Sequence, residues 1–205
     1  MMVVKSENPI TLIRGRSTLP IIEAYYEFNH LKQLYRQGWL RRGMPPERCE
    51  SVAEHTFGMA VLSMAIADAY YPGLDLLKVL RLVLLHDFGE IYAGDIVPAD
   101  RVNAQTKHVL EHESVQRVLS RLADGASYMA LWQEYEDNAT PEARFVKQID
   151  RLEMALQASV YERQSLLSAE HAGEFLTSAS NAIDLPELRR ILEEIPSSAA
   201  PHSHT

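Results

Sequence analysis

The centre of this sequence is the run Leu84-Leu85-His86-Asp87-Phe88-Gly89-Glu90, which closes an apolar segment that begins at Leu74. His86 and Asp87 carry metal-ligating side chains, and Glu90 follows them by four and three residues. On a helix, residues at these spacings lie on one face, so the three polar groups are expected to lie close together. A His-Asp pair is nearly expected by chance in a chain with eight histidines. Its importance here depends on the apolar setting and on further candidate ligands elsewhere.

The composition is typical of a soluble globular protein with one substantial core. The chain has 205 residues, of which 46% are hydrophobic and 23% charged, as in an ordinary single domain. The net charge of −8 argues against binding to a nucleic acid polymer, because contacts with its phosphates require a basic surface. A small phosphate ligand held by one or two arginines remains compatible with this charge.

Cysteine usage and hydropathy predict a cytoplasmic protein that does not span a membrane. Cys49 is the single cysteine, which rules out an intrachain disulfide and a cysteine-based zinc site, and a reducing compartment is the simplest interpretation. Residues 1–16 lack the apolar segment of a secretory signal. The apolar run 74–85 contains three charged residues and is shorter than the roughly 20 residues of a membrane span. We therefore expect it to be a buried helix.

Helical signals occur along most of the chain, as apolar residues at helical spacing, capping side chains and prolines in first turns. They predict helices over about 20–38, 52–70, 76–90, 101–123, 128–136, 141–164 and 186–194. The helix 76–90 is apolar on nearly every side, which places it at the centre of the domain. No alternating strand pattern of useful length is present. We predict an all-α fold, a single-domain helical bundle over 17–195, with an irregular lead-in at 1–16 and a flexible tail at 196–205.

Three places in the chain put metal-ligating side chains on apolar helices: His55, the His86-Asp87 pair and Asp150. A buried aspartate without a partner costs several kcal/mol, so Asp150 requires a cation or a set of hydrogen-bond donors. Two imidazoles and two carboxylates without thiolates suit Mn, Co, Fe, Ni, Mg or Zn, and the sequence does not choose among these metals. A lone histidine or aspartate in a core is more often hydrogen-bonded or ion-paired than bound to a metal. The prediction of a divalent metal site therefore depends on all four residues.

Other histidines are not assigned to a site. His108 and His112 share a helix face, but their helix is polar and is expected to be solvated. His30 has no partner that the sequence identifies, and His202 and His204 lie in the predicted tail.

The four candidate ligands match the pattern H…HD…D, and the chain resembles the HD-domain metal-dependent phosphohydrolases. That pattern identifies only the superfamily. Further segments resemble the 5′-deoxynucleotidase branch, the YfbR type and its eukaryotic relatives. These segments are 38–42 (GWLRR), 51–55 (SVAEH), 85–90 (LHDFGE), 94–100 (GDIVPAD) and 145–150 (FVKQID).

The resemblance implies an all-α fold, a divalent metal, and hydrolysis of deoxyribonucleoside 5′-monophosphates to deoxynucleoside and phosphate. The implied metal ligands are His55, His86, Asp87 and Asp150. A homodimer is also expected, from the resemblance and from apolar helices left over at both ends of the chain.

Glu90 and Asp95 are the candidate catalytic residues. A divalent metal lowers the pKa of its bound water and polarises the phosphoryl oxygen, while phosphoryl transfer depends mostly on positioning and charge neutralisation. Glu90 is placed to orient or deprotonate the attacking water. Asp95, on a glycine loop, is a candidate for protonating the leaving 5′-oxygen or for binding a second metal.

The candidate substrate-binding residues are Trp39, Arg41, Arg42 and Lys147. Gly38 precedes Trp39 where the bacterial enzymes typically have arginine, which leaves open which arginine binds the phosphate. We assign this role first to Arg42 and second to Arg41, because arginine matches phosphate with a planar fork; the alternative is a solvated surface pair. Trp39 is expected to contact the base or the sugar, or else to be a core residue. Lys147 either reaches the phosphate or is a surface lysine.

Two other functions are compatible with the sequence. The first is another HD phosphohydrolase activity, on a nucleoside triphosphate, a cyclic nucleotide or an alarmone. A triphosphate enzyme should have more basic residues near the site than Arg41, Arg42 and Lys147. The second is a non-catalytic HD domain that senses a nucleotide. Glu90 and Asp95 argue against it, since a binding module requires neither.

Overall fold

The computed structural model describes residues 2–196, which form ten α-helices joined by loops and short 3-10 turns, with no β-strand in this part of the chain. The helices are α1 (Pro20–Phe28), α2 (Gln37–Leu40), α3 (Val52–Tyr70), α4 (Leu76–Leu85), α5 (Glu90–Ala93), α6 (Ala104–Leu119), α7 (Gly125–Glu136), α8 (Pro141–Arg163), α9 (Ala169–Ala182) and α10 (Pro186–Glu193). The predicted all-α class is confirmed. Most of the predicted tail, residues 197–205, lies outside the described residues.

Helix α8 is the central element of the bundle and carries Asp150. It starts where predicted, with Pro141 in its first turn and the Thr140 side chain accepting a hydrogen bond from the Ala143 N–H. Helices α3, α4, α7, α9 and α10 all pack against it. Asp150 is therefore held at the core of the bundle.

Helix α3 begins at the predicted capping box and carries His55. The Ser51 hydroxyl accepts a hydrogen bond from the Glu54 N–H at 3.3 Å, and the Glu54 carboxylate accepts one from the Ser51 N–H at 2.7 Å. His55 consequently lies in the first turn, where α3 packs against α8.

Helix α4 ends at Leu85, so the prediction that one helix continues to Glu90 is wrong. Residues 86–89 form a tight turn instead, in which the Phe88 N–H donates to the Leu85 carbonyl and the Glu90 N–H donates to the Asp87 carbonyl. These i→i−3 bonds are of the 3-10 type. This turn, and not a continuous α-helix, therefore connects His86 to Glu90.

Helix α4 is also less buried than its composition predicts. Val79, Leu82 and Val83 are completely buried, but Leu77 and Leu84 are 65% and 54% exposed. The helix packs on α3, α7 and α8 with one face only. No helix in residues 2–196 is long and apolar enough to cross a membrane.

Two further segments differ from the prediction. The expected helix over 20–38 is divided into α1, a 3-10 turn at Asn29–Lys32 and α2. Helix α9 was not predicted, although Ser168 caps it and Ala172, Phe175 and Ala179 are buried at helical spacing. The N-terminal lead-in contains a 3-10 turn at Pro9–Ile13.

Candidate metal and phosphate site

Two histidine rings are fixed through Nδ1 and leave Nε2 free. His55 Nδ1 lies 2.6 Å from Glu153 Oε2, and His86 Nδ1 lies 2.7 Å from the carbonyl oxygen of Val83. Both Nε2 atoms are buried and have no hydrogen-bond partner among the described residues. A partner at Nδ1 is the usual arrangement for a metal-binding histidine, because it selects the tautomer with a free Nε2 lone pair.

Two aspartates approach these free nitrogens. Asp150 Oδ1 lies 3.3 Å from His55 Nε2, and Asp87 Oδ2 lies 3.0 Å from His86 Nε2. The ligand atoms of His55, His86 and Asp150 all lie within 4.8 Å of one another. Atoms that bind one ion at about 2.1 Å are separated by roughly 3 to 4.2 Å. The structure thus brings three of the predicted ligands together, His55, His86 and Asp150, with Asp87 next to His86, and this arrangement is compatible with a divalent metal.

The charges around His55 favour a positive charge at this place. Burial and the Arg36 charge lower the pKa of His55, but the carboxylates of Asp150 and Glu153 outweigh them and raise it to about 10. Burial raises the pKa of Asp150, but the close contact with His55 and the charge of its ring outweigh burial and hold this pKa well below its ordinary value. A cation between these carboxylates is therefore electrostatically stabilised.

Three of the candidate ligands, His86, Asp87 and Asp150, line a cavity of about 450 Å³. This volume lies in the range of pockets that bind small molecules. Basic side chains from four positions line it: Arg36, Lys107, Lys147 and Arg151. Of the three basic residues expected near the site, Arg41, Arg42 and Lys147, only Lys147 lines the cavity, and three others join it.

Glu90 and Asp95, the candidate catalytic residues, both line this cavity. Glu90 is 4% exposed, and its Oε2 has no hydrogen-bond partner in the described part of the chain. Burial and the charges of Asp87 and Asp95 raise the pKa of Glu90 well above its ordinary value. Asp95 is 5% exposed, and its Oδ2 accepts a hydrogen bond of 2.6 Å from the Gln37 N–H.

A family model described as the HD domain matches residues 28–191. The chain belongs to the HD-domain family. The proteins named 5′-deoxynucleotidase HDDC2 of Bos taurus and Homo sapiens are 32% and 36% identical to it, over 93% and 88% of this chain and 91% and 87% of those proteins. A solved structure of a predicted metal-dependent phosphohydrolase from Magnetospirillum magnetotacticum is 27% identical, with a TM-score of 0.65, over 86% of this chain and 91% of that chain. The predicted family is confirmed.

Arg36 is a residue of this HD-domain site that sequence reasoning missed. Its Nη1 lies 3.6 Å from Asp87 Oδ2 and 3.9 Å from Glu90 Oε1. Its side chain is 11% exposed. Burial lowers the pKa of Arg36, but nearby carboxylates, with Asp95 first, raise it well above its ordinary value. Arg36 lies three residues before Trp39 in the sequence, so an inspection of the positions just before Trp39 would have found a basic candidate.

Arg41 and Arg42 lie outside the lining of the cavity. Arg41 forms an ion pair with Asp100. Arg42 pairs with Glu174 at 2.7 Å, and its guanidinium lies 4.5 Å from the centre of the Phe175 ring. The structure therefore places both arginines in surface ion pairs, which is the alternative considered for them.

Trp39 is a core residue whose edge reaches the wall of the cavity. It is 1% exposed and its Nε1 donates a hydrogen bond of 2.8 Å to Glu50. Its ring packs against Tyr161 and Phe175, with centroid distances of 5.3 and 4.1 Å. Lys147 also lines the cavity, and its Nζ donates a hydrogen bond of 3.1 Å to the carbonyl of Glu136.

The histidines that were not assigned to the metal site contact an aromatic ring or a main-chain carbonyl instead. His108 and His112 lie against the Trp132 ring, with centroid distances of 5.9 and 6.0 Å, and His108 also lines the cavity. His30 does have a partner, because its Nδ1 lies 2.7 Å from the carbonyl oxygen of Ile91 next to Glu90.

Proposed function

We propose that this protein hydrolyses deoxyribonucleoside 5′-monophosphates to deoxynucleoside and phosphate, using a divalent metal. The main support is the similarity to proteins named 5′-deoxynucleotidase over most of the chain. The cluster of two buried histidines and the partly buried Asp150, beside a cavity of about 450 Å³, adds independent support.

His55, His86, Asp87 and Asp150 would hold the metal, through Nε2 of each imidazole and one oxygen of each carboxylate. Such an ion polarises a phosphoryl group and lowers the pKa of water when it is bound. The donor set of nitrogen and oxygen without sulfur is compatible with Mn, Co, Fe, Ni, Mg or Zn.

Glu90 and Asp95 would move the two protons of the reaction. Glu90 accepts the proton that the attacking water loses, and its buried carboxylate with a free oxygen at the cavity suits a group with this task. Asp95 donates a proton to the leaving 5′-oxygen, which leaves as the hydroxyl of the deoxynucleoside. The hydrogen bond from the Gln37 N–H fixes the Asp95 carboxyl for this transfer.

Arg36 would bind the phosphate, in place of Arg42 and Arg41. It is buried beside Asp87 and Glu90, so its guanidinium fork can reach a phosphate bound between these residues. Lys147 is a second candidate for this contact, because it lines the same cavity. The edge of Trp39 contributes to the wall against which the sugar or base packs.

A nucleoside triphosphate is the second candidate substrate. Lys107, Lys147 and Arg151 add three basic side chains to the lining beside Arg36, which further phosphates could contact, although six carboxylates line the same cavity. An alarmone or a cyclic nucleotide has no comparable support from the lining residues.

Phosphate release from dAMP, AMP and dATP, with each of the six metals in turn, tests the proposed function. We expect release from dAMP to be fastest and to disappear in the Asp150→Ala variant. Faster turnover of dATP would support the triphosphate activity instead. Nucleotide binding without turnover under any metal would identify a sensing domain.

A further inference from the structure

We propose that Glu153 is a positioning residue that holds the His55 ring for metal binding, and that Gly58 leaves the space that Glu153 needs. This proposal rests on the proposed function, since it concerns the same metal site. Neither residue belongs to the H…HD…D pattern.

The His55 ring lies between two carboxylates of α8. Glu153 follows Asp150 by three residues, so both side chains face α3 from the same side of the helix. Glu153 Oε2 lies 2.6 Å from His55 Nδ1, and Asp150 Oδ1 lies 3.3 Å from His55 Nε2. A hydrogen bond from Nδ1–H to Glu153 fixes both the tautomer and the rotation of the ring, which leaves the Nε2 lone pair directed at the metal position.

The other oxygen of Glu153 lies over Gly58 on α3. A Cβ atom at position 58 would be 2.8 Å from Glu153 Oε1, closer than real Cβ atoms approach their neighbours. Glycine in the middle of a helix is unfavourable compared with alanine. The close carboxylate explains why α3 has glycine one turn after His55.

His86 provides an internal contrast. Its Nδ1 partner is the main-chain carbonyl of Val83, which no side-chain substitution removes. The corresponding partner of His55 is a side chain 98 residues away in the sequence. Substitution of Glu153 therefore releases one of the two metal-binding rings and leaves the other unchanged.

Glu50 lies near both His55 and Glu153, and it is the basis of a competing explanation. Ligand atoms of Glu50, His55 and Glu153 lie within 4.8 Å of one another. The competing explanation is therefore that these three residues bind a second cation. Against this explanation, His55 Nδ1 already has Glu153 as a partner at 2.6 Å, and Glu50 accepts a hydrogen bond from Trp39 Nε1.

Co²⁺ binding tests the proposal independently of catalysis. The dissociation constant is measured by competition with a chelator, together with the visible spectrum of the bound Co²⁺ and the number of ions bound per chain. We expect Glu153→Ala to weaken Co²⁺ binding by about 10–100-fold and to change the spectrum. The loss of Co²⁺ affinity should be smaller in Glu153→Gln, because the amide oxygen of glutamine can still accept the hydrogen bond from Nδ1–H of His55.

Gly58→Ala and Gly173→Ala form a matched pair. Gly58→Ala should weaken Co²⁺ binding because the new methyl group displaces Glu153, although alanine favours the helix. Gly173 lies inside α9, and no atom lies within 4 Å of the position that a Cβ atom would take there. Gly173→Ala should therefore raise the melting temperature and leave the dissociation constant unchanged.

Unchanged affinity and spectrum in Glu153→Ala would overturn the proposal. A fall from two bound ions to one, in Glu153→Ala or Glu50→Gln, would overturn it in favour of a second cation. If Glu153→Ala does not fold, the Co²⁺ affinity, spectrum and stoichiometry of Glu153→Gln and Gly58→Ala decide between the proposal and the second cation. Tight Co²⁺ binding without hydrolysis of dAMP would contradict the proposed function but not the role of Glu153. Absence of Co²⁺ binding to the unmodified protein would contradict both.

Discussion

Glu90 combines deep burial with a carboxylate oxygen that has no hydrogen-bond partner among the described residues. Because the proposed ligands are His55, His86, Asp87 and Asp150, we expect Glu90→Ala to retain its metal while kcat falls at least about a hundredfold, or about 2.7 kcal/mol. Glu90→Gln should be nearly as slow, since the amide keeps the shape but cannot accept the proton. Steady-state kinetics with dAMP and metal content by elemental analysis provide the measurement.

Two outcomes would change the role of Glu90. If Glu90→Gln retains most of the activity, Glu90 only positions water, and Asp95 becomes the better candidate for proton transfer. If Glu90→Ala loses its metal, Glu90 is itself a ligand.

Arg36 and Arg42 can be compared directly, since only Arg36 lines the cavity. Loss of a hydrogen bond to a charged group costs about 1.5–3 kcal/mol, so kcat/KM should fall by about 10–100-fold in Arg36→Ala. Arg42→Ala should change it less than about threefold, because Arg42 pairs with Glu174 near the surface. Kinetics of both variants with dAMP are the measurement, and the reverse order would restore the assignment of the phosphate to Arg42.

At the scale of the element, the capping box of α3 determines where the helix begins. Replacing Ser51 by alanine removes the acceptor for the Glu54 N–H, and we expect the free energy of unfolding to fall by about 1 kcal/mol at pH 7. Chemical denaturation of Ser51→Ala beside the unmodified protein measures this change. A difference below about 0.3 kcal/mol would show that packing against α8 alone holds the start of α3.

The same capping box also makes the free energy of unfolding depend on pH. Burial raises the pKa of Glu54, but the hydrogen bonds from Ser51 and the Lys5 charge outweigh it and hold the pKa below the ordinary value of 4.5. Since the pKa of Glu54 is lower in the folded state, its contribution to stability is complete above the pKa of Glu54 in the unfolded chain. This contribution is lost as the pH falls through the pKa of Glu54 in the folded protein. Part of the difference between Ser51→Ala and the unmodified protein should accordingly disappear below about pH 4.

At the scale of the whole molecule, the metal would join three parts of the chain: α3, the turn after α4, and α8. Ligand binding to the folded state at 100 times the dissociation constant stabilises it by about 2.7 kcal/mol. For a domain of this size the melting temperature should rise by roughly 5–10 °C when metal is added to chelator-treated protein. Asp150→Ala should show neither this rise nor activity, and full metal occupancy in that variant would show that Asp150 is not a ligand.

The surface of α3 bears on the expected homodimer. Phe57, Val61 and Met64 are 71%, 46% and 42% exposed and lie along one face of the helix. Burial of such a face against a second copy is favourable, so we expect a mass of twice 23.2 kDa by light scattering at micromolar concentration. Phe57→Asp should reduce this mass to that of one chain. A single-chain mass for the unmodified protein would contradict the prediction.

The amino-acid sequence alone determined the helical class, the starts of α3 and α8, and the identity of the candidate ligands. Ser51 and Thr140 begin their helices through hydrogen bonds to residues three positions away, which are visible in any local stretch. Histidine and aspartate were recognisable because their side-chain chemistry identifies them as metal ligands wherever the chain places them.

Only the tertiary structure decided which charged side chains reach the cavity. Arg42 pairs with Glu174, 132 residues away, while Arg36 turns inward beside Asp87. Glu153 meets His55 across two packed helices, and a tight turn replaces the last part of the expected α4. These outcomes depend on how helices pack against one another. Local patterns lack this information, because a contact between distant residues depends on the positions of both helices at once.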